Sequence, residues 1–198
     1  EKVTRNGRTT TRQFIQQADF HQDVVLRQSA DPNGDVVECD DLAVAMGHSA
    51  RGSAYVKTAV AVGHVRARQE GSNISADKVT VGFVEGDTSQ AARFAPARAA
   101  EVSLASGARI RPATIVAEGG VVINDRRDPN AELLTATADR MVSELIENDR
   151  TRRTAVLTGK PDAPARIEQG SNKLIGREIR LDQSDGSAAV DGAGTLDF

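Results

Sequence analysis

Side chains capable of acid–base, nucleophilic or metal-binding roles are scattered along this 198-residue chain. His21, His48 and His64 stand far apart, and none has a second histidine four residues away, the spacing of a helical zinc site. No Gly-x-Ser-x-Gly elbow occurs, nor a glycine-rich phosphate loop ending in Lys-Ser or Lys-Thr. We therefore predict that the protein is not an enzyme and uses no catalytic residue, metal or cofactor.

The acidic residues offer two candidate sites, and the local sequence argues against both. Asp40 and Asp41 are adjacent in a predicted strand, where successive side chains point to opposite faces, so we do not expect them to cooperate as acid and base. Residues 31–35, Asp-Pro-Asn-Gly-Asp, resemble the opening of a calcium loop but lack the glutamate expected further on, and Pro-Asn-Gly is typical of a turn. The single cysteine, Cys39, cannot form an internal disulfide.

Two basic clusters lie in predicted hairpin tips, at Arg126-Arg127 and at residues 150–153. Such clusters are usually solvated; the alternative is that they meet anionic lipid phosphates at the mouth of a groove. The net charge of -3 and the isoelectric point near 5.7 give no strongly basic surface that would attract nucleic acid. Nucleic acid is therefore not an expected partner.

The composition indicates a folded protein with a thin interior. Hydrophobic residues make up 39% of the chain and aromatic residues only 3%, so Val, Ile, Leu and Ala must fill the core. A thin core suits an extended sheet better than a thick globule. Apolar runs are as short as residues 59–62, whereas a membrane helix needs about 20 residues. The chain starts at Glu1 without an apolar leader, and we expect a processed secreted protein or a piece of a longer one.

Alternating polar and apolar residues predict β-strands over most of the chain. Val65 and Ala67 alternate with arginines, and Val79 and Val81 alternate with polar residues. Gly, Asn, Asp and Pro interrupt these runs, which predicts hairpin turns at residues 31–35, 70–73, 128–130 and 169–172. The segment that best fits a helix is residues 87–104, where Ala and Arg accumulate around Pro96.

One unit recurs along the chain: a strand led by glycine, a polar turn, and a strand that opens with a small residue and an acidic or polar one. The clearest copies are residues 63–81, 118–142 and 165–181, with a fainter copy at 23–44 and a half-copy at 189–196. The first two copies share Ala-Asp-basic-apolar, and the first and third share a Gly-Ser-Asn turn. Hairpins that recur in this way must stack on one another to bury their apolar faces.

These units resemble the OstA-like (LptA-like) repeats of lipopolysaccharide transport, which occur in the periplasmic bridge protein, its inner-membrane partner and the N-terminal domain of the outer-membrane translocon. The resemblance is strongest from Ala113 onward, where Leu-Thr-Gly-x-Pro at 157–161 precedes Ala-Arg-Ile-Glu-Gln-Gly at 165–170. It implies an all-β fold: an elongated, V-shaped, open β-jellyroll of stacked hairpin repeats with one irregular insert. We assign residues 1–86 to N-terminal repeats, 87–112 to an insert or linker and 113–198 to C-terminal repeats of one continuous stack.

The resemblance also implies a non-catalytic periplasmic module that binds lipopolysaccharide or a related glycolipid and passes it on. Acyl chains would lie in an apolar groove, and like modules would join end to end through their edge strands. The candidate groove residues are apolar positions that alternate with polar ones: Val65, Ala67, Ile74, Ala76, Val79, Val81, Val121, Ile123, Leu134, Met141, Ile167, Leu174, Ile179 and Leu181.

Two other functions fit the same strands. A structural or interaction scaffold of the cell envelope would bury the same residues in a closed core, because alternation alone does not distinguish a core from a groove. A β-helical enzyme acting on polysaccharide would need carboxylates that converge on one face. A Val65→Asp change separates a closed core from an open groove, because a buried, unpaired charge is strongly destabilising.

Overall fold

The computed structural model describes residues 2–5, 8–11, 15–27, 35–48, 54–69, 71–85, 102–103, 109–126, 130–145, 153–182 and 185–197. Among these residues no helix is long and apolar enough to cross a membrane. They form thirteen β-strands, in chain order β1 (Lys2–Arg5), β2 (Arg8–Thr11), β3 (Gln17–Arg27), β4 (Val36–His48), β5 (Ala54–Gln69), β6 (Ser72–Glu85), β7 (Val102–Ser103), β8 (Arg109–Asp125), β9 (Leu134–Leu145), β10 (Arg153–Thr158), β11 (Ala165–Gln169), β12 (Asn172–Asp182) and β13 (Ser187–Asp197).

Eleven of these strands form one antiparallel sheet in which most chain neighbours are also neighbours in space. The order is β3-β4-β5-β6-β8-β9, then one position that β10 and β11 share, then β12 and β13. The short strand β7 pairs with the beginning of β8, and β1 pairs with β2 in a separate ribbon. The predicted fold class, an all-β jellyroll of stacked hairpin repeats, is confirmed.

Two of the predicted hairpin turns lie in the described part of the chain. Gln69 pairs with Ser72 across the β5–β6 turn, and Gln169 pairs with Asn172 across the β11–β12 turn. Each turn contains a glycine with a positive φ angle, 76° at Gly71 and 59° at Gly170. A two-residue hairpin turn requires such an angle. Residues 31–34 and 127–129, where two further turns are predicted, lie outside the described residues.

The sheet runs without interruption past the predicted insert. β6 pairs with β8 over almost its whole length, from Ser72 opposite Asp125 to Glu85 opposite Ile110. β8 begins at Arg109, so residues 109–112 of the predicted insert are strand. Of the predicted helical segment only Val102 and Ser103 are described, and they form β7. The rest of it, residues 87–101 and 104, lies outside the described residues.

The strands bend at a common corner, and the corners line up across the sheet. The register shifts there between the paired strands from β3–β4 to β12–β13. The corner divides the sheet into two arms: arm A, which contains Leu42 and Ala61, and arm B, which contains Cys39 and Val65. All four of these residues are buried. Cys39 and Leu42 are three residues apart in β4, whereas Ala61 and Val65 are four residues apart in β5.

The spacing across the corner alternates from strand to strand. It is three residues in every second strand: 39/42 in β4, 76/79 in β6, 138/141 in β9 and 176/179 in β12. It is four residues in the strands between them: 20/24 in β3, 61/65 in β5, 117/121 in β8 and 190/194 in β13. The four-residue strands contain positive φ angles at the corner, at 22–23, 63–64, 119–120 and 192. These strands take the outer path around the bend, with one residue more than their neighbours.

Glycine is required at two of these corners for both conformation and space. Gly63 and Gly119 have φ angles of 77° and 78°, a region that other residues rarely adopt. A Cβ at Gly63 would collide with Asp40, and a Cβ at Gly119 would collide with Asp77. The glycine of one strand therefore packs directly on the aspartate of the preceding strand. This contact links the leading glycine of one unit to an aspartate of the unit before it, and at Gly119 that aspartate belongs to the Ala-Asp pair.

Candidate functional site

The inner face of both arms is built from rows that run across the sheet and are apolar at every position except Ser143. Three rows follow the strand register without interruption over nine strand positions. Row A1 is next to the corner in arm A: Phe20, Leu42, Ala61, Val79, Ala117, Met141, Leu157, Ile179 and Val190. Row A2 is further out in arm A: Ala18, Val44, Ala59, Val81, Ile115, Ser143, Ala155, Leu181 and Ala188. Row B is the outer row of arm B: Leu26, Val37, Ala67, Ile74, Ile123, Ala136, Ile167, Leu174 and Leu196.

Burial falls from the corner towards the outer rows and the two ends of the sheet. Val65, Val121, Leu157 and Ile179, which lie at the corner or in row A1, are less than 2% exposed. Many members of rows A2 and B are only partly buried and pack against this core. At the ends, Leu26 of β3 is 44% exposed and Leu196 of β13 is 55% exposed. The centre of the interior is therefore closed by side chains, while its outer rows and ends present apolar surface to solvent.

All fourteen predicted groove residues lie on this inner face. Seven belong to the buried core: Val65, Ala76, Val79, Val121, Met141, Ile167 and Ile179. Six are partly buried and pack against it: Ile74, Val81, Ile123, Leu134, Leu174 and Leu181. Ala67 is half-buried and lies between Val37 and Ile74 in row B. The six partly buried residues therefore combine an apolar side chain with partial exposure to solvent.

The prediction that Asp40 and Asp41 point to opposite faces is wrong. Both lie between two inward residues, Cys39 and Leu42, at the corner of β4, and both side chains are about half exposed. Asp41 is 2.6 Å from Nδ1 of His21, and Asp40 is 3.0 Å from Nδ1 of His64 on the other neighbouring strand. The register shift at the corner breaks the strict alternation that the prediction assumed.

Ionisable side chains form cross-strand pairs on the outer face. Glu118 lies between Lys78 at 3.6 Å and Arg140 at 3.5 Å, and these three residues are opposite one another in the strand register. Lys160 binds Asp139 at 2.8 Å, and this hydrogen-bonded contact raises the pKa of the lysine. Within the described residues no group of three His, Cys, Asp or Glu side chains could hold a metal ion.

Cys39 places a buried thiol on the inner face of the sheet. Its side chain is buried in the core, and burial, followed by the charges of Asp40 and Asp41, raises the pKa of the thiol. The thiolate is disfavoured in the folded state. The contribution of Cys39 to the stability of the folded state is therefore fully present below the pKa of the unfolded thiol. It is lost as the pH rises through the higher pKa of the folded thiol.

We expect Cys39 to react at least about tenfold more slowly with a disulfide reagent in the native protein at pH 8 than in urea, because both thiolate formation and access are restricted. The measurement is the rate of release of the coloured thiol product, with the urea sample giving one reactive thiol per chain. Equal rates in the two samples would show that the thiol is accessible.

Arg153 lies at the outer limit of arm A. It is opposite Leu145 in the register, and its Nη2 donates a hydrogen bond to the carbonyl oxygen of Pro112 at 2.5 Å, so the side chain crosses the end of β9. Burial, and second the nearby charge of Arg111, lower the pKa of Arg153. From the other predicted basic cluster the structure describes Arg126. The backbone NH of Arg126 donates a hydrogen bond to the carbonyl oxygen of Gly71. Arg127 and residues 150–152 lie outside the described residues.

A pocket that the sequence did not suggest opens at the last strand of the sheet. Its volume is about 290 Å³, it is open to solvent, and it is lined by Leu174 of β12 and by Ala188, Val190 and Leu196 of β13. Glycines at 192 and 194 of β13 also line it. The signal in the sequence was the Gly-Ala-Gly segment at 192–194, whose last glycine leaves room for the side chain of Val190.

Comparison with known proteins identifies the family. No curated protein matches the sequence significantly. The family of the LptA/(LptD N-terminal domain) LPS transport protein matches residues 48–187. Among solved structures, the crystal structure of LptH from Pseudomonas aeruginosa, the LptA-homologous periplasmic component of the lipopolysaccharide transport device, is 14% identical, with a TM-score of 0.49 over 81% of this chain and 84% of that chain. Since the family match covers more than half of the sequence, the protein belongs to the LptA/LptD N-terminal family of lipopolysaccharide transport proteins.

Proposed function

We propose that the protein is a periplasmic module that carries lipopolysaccharide or a related glycolipid, with the acyl chains held along the outer rows of the inner face. The observation that carries this proposal is row B, which continues across nine strand positions with an apolar side chain at each. Its members Ile74, Ile123 and Leu174 are partly buried at the edge of the closed core. An acyl chain lying there would cover apolar surface that is otherwise exposed to water.

The burial gradient refines where a lipid can lie. Val65 and Val121 are packed by other side chains, so an acyl chain cannot reach them without opening the core. Rows A2 and B border the interior on either side, and members of these rows such as Val81, Ile74 and Ile123 are only partly buried. Burial of each methylene contributes about 0.8 kcal/mol, so about ten buried carbons gain on the order of 8 kcal/mol before the cost of ordering the chain.

Movement of a lipid along the module requires successive positions of similar affinity. Row B contributes to this because it presents an apolar side chain in every strand, with Ile74 and Ile123 side by side on adjacent strands and alanines at 67 and 136 on either side of them. Adjacent strands lie about 4.8 Å apart, so each step is short compared with an acyl chain. A lipid can then exchange one contact while it keeps the others.

The ends of the sheet suit assembly with like modules. In the described residues β3 pairs only with β4, and β13 pairs only with β12, which leaves one edge of each strand free for strand addition. The inner rows end at these edges with exposed apolar residues, Leu26 and Leu196. End-to-end joining would cover them and continue the apolar rows into the next module.

Photocrosslinking tests lipid capture at row B. With a photoreactive residue in place of Ile123, irradiation in the presence of lipopolysaccharide should yield a crosslinked product. The same residue in place of Val122, the neighbouring position on the outer face, should give at most about a tenth of that product, because successive strand residues face opposite sides.

Failure to capture lipopolysaccharide at Ile123, or equal capture at both positions, would contradict the proposal. Thermal unfolding followed by circular dichroism checks that both variants are folded. Both positions are partly buried, so their folding requirements are similar.

A further inference from the structure

A cationic side chain borders the apolar interior at the outer limit of arm A. Arg153 lies in β10 two residues before Ala155 and four before Leu157, which are buried members of the inner rows. Because alternate residues of a strand share a face, Arg153 occupies the next inward position beyond row A2. Its side chain passes Leu145 of β9 and donates to the carbonyl oxygen of Pro112 in β8. The guanidinium therefore lies along the rim of arm A, beside apolar surface.

The surroundings of Arg153 suit an anionic ligand. Among the described residues, Pro112 is the hydrogen-bond acceptor of its guanidinium, which carries several further N–H donors. Burial and, second, the charge of Arg111 lower the pKa of Arg153, and no carboxylate of a residue that the structure describes opposes them. An anion beside the two arginines would favour the charged guanidinium and offset the repulsion between them.

We propose that Arg153, together with Arg111, binds a phosphate group of the glycolipid headgroup while an acyl chain lies along row A2. The proposal rests on the lipid-carrying function proposed above, and it adds the position and the chemistry of the headgroup contact. A guanidinium presents parallel N–H donors that match two phosphate oxygens. A phosphate monoester carries a charge of about −1.5 to −2 near neutral pH, so it can neutralise both arginines.

The path from the apolar rows to Arg153 passes a buried hydroxyl. Ser143 is the polar member of row A2, and it is 7% exposed between Ile115 and Ala155 of the neighbouring strands. It lies two residues inward from Leu145, the partner of Arg153 in the register. From the corner outwards, these strands therefore present apolar, hydroxyl and cationic groups in turn. This order matches an amphiphile with its chain inside and an anionic head at the rim.

The rim of arm B has a different chemistry. Beyond row B, the inward positions of β5, β6 and β8 are Gln69, Ser72 and Asp125, which are neighbours in the register. The hydroxyl of Ser72 donates to Asp125, and Gln69 donates to Asp35 at 3.3 Å. Carboxylates at this rim repel a phosphate, whereas they accept hydrogen bonds from sugar hydroxyls. The two rims would therefore hold the headgroup in one orientation, with its phosphate at arm A.

Two amphiphiles with the same hydrocarbon chain test the site. Dodecyl phosphate and dodecyl maltoside are each titrated into the full chain below their critical micelle concentrations, and calorimetry gives the dissociation constants. Arg153→Gln should lower the affinity for dodecyl phosphate at least about tenfold, because it removes hydrogen bonds between charged groups. The affinity for dodecyl maltoside should change less than about twofold.

Arg180→Gln is the matched control. Arg180 alternates with the inward residues Ile179 and Leu181, so it lies on the outer face of arm A, where it binds Glu178 at 2.8 Å. Its substitution removes the same charge and should change both affinities less than about twofold. Arg153→Lys keeps a cation at the rim and should bind dodecyl phosphate at least about threefold more tightly than Arg153→Gln. Thermal unfolding followed by circular dichroism checks that the variants are folded.

Equal losses of affinity for the two amphiphiles in Arg153→Gln, or an equal loss of dodecyl phosphate affinity in Arg180→Gln, would overturn the site. Inorganic phosphate that binds as tightly as dodecyl phosphate would also overturn it, because the anion would then be free phosphate and not a headgroup. If Ile123 captures lipopolysaccharide while Arg153→Gln leaves dodecyl phosphate binding unchanged, the headgroup site fails and the proposed function stands. If neither amphiphile binds and Ile123 captures no lipopolysaccharide, the proposed function fails as well.

Discussion

Val65→Asp should unfold the protein, whereas Val62→Asp should leave it folded. Val65 is 1% exposed at the corner of the interior, and Val62 is 42% exposed on the outer face three residues earlier in β5. An unpaired carboxylate buried at position 65 costs several kcal/mol, a large share of the roughly 5–15 kcal/mol that stabilises a typical domain. At position 62 the added charge remains in water, opposite Lys78 on one neighbouring strand and Asp41 on the other.

Urea unfolding followed by circular dichroism measures both variants. The Val65→Asp chain should lack a cooperative transition or show one displaced by several kcal/mol, and the Val62→Asp chain should unfold within about 1 kcal/mol of the unmodified protein. A stable Val65→Asp protein that only loses lipid binding would show that the interior opens at the corner. In that case the groove would extend deeper than the burial of this residue indicates.

Gly119→Ala should destabilise the protein by about 2–5 kcal/mol, and Gly120→Ala by about 1 kcal/mol. Both glycines have positive φ angles, 78° and 57°, so both substitutions introduce backbone strain. Only at Gly119 does the added methyl group also meet a neighbour, the Cβ of Asp77 at 2.8 Å. Nothing lies within 4 Å of a Cβ at Gly120.

The difference between the two glycine variants isolates the contact with Asp77. Denaturant titration of Gly119→Ala, Asp77→Gly and the double variant completes a thermodynamic cycle, in which the double variant should be more stable than the sum of the single changes predicts. Equal destabilisation by Gly119→Ala and Gly120→Ala would show that backbone strain, and not packing on the aspartate, accounts for the recurring glycine.

The fold class and the hairpins were accessible from sequence because they depend on local patterns. Val79 and Val81 alternate with polar residues, and the structure places both on the inner face of one strand. The Gly-Ser-Asn turns contain the glycines that two-residue hairpins require, and Gln69 indeed pairs with Ser72. Both signals involve residues close in the chain, so no knowledge of distant contacts was needed.

The corner was not predicted, because it depends on how neighbouring strands bend together. Strict alternation assigned Asp40 and Asp41 to opposite faces, but the three-residue spacing from Cys39 to Leu42 places both outside. The motif Ala-Asp-basic-apolar was visible in the sequence as a repeat. Its meaning, a core residue on each side of two outward residues, follows only from the packing of Asp77 on Gly119 of the paired strand.

The sequence predicted which face of the sheet carries the site, but not which part of that face is open to solvent. Periodicity placed Ile123 and Leu174 on the apolar side, as it did Val65 and Ile179. It did not distinguish exposed from sealed positions, because that depends on which side chains from both arms meet at the corner. Sequence patterns therefore define the inner surface, while exposure selects the residues that are accessible to a guest molecule.

The alternating spacing at the corner restricts how such a protein can change length during evolution. A strand with three residues across the bend has neighbours with four, so the gain or loss of one strand within the sheet would bring two like strands together and misalign their bends. Duplication or deletion of a whole hairpin preserves the parity. Within the sheet, shorter and longer homologues should therefore differ by even numbers of strands.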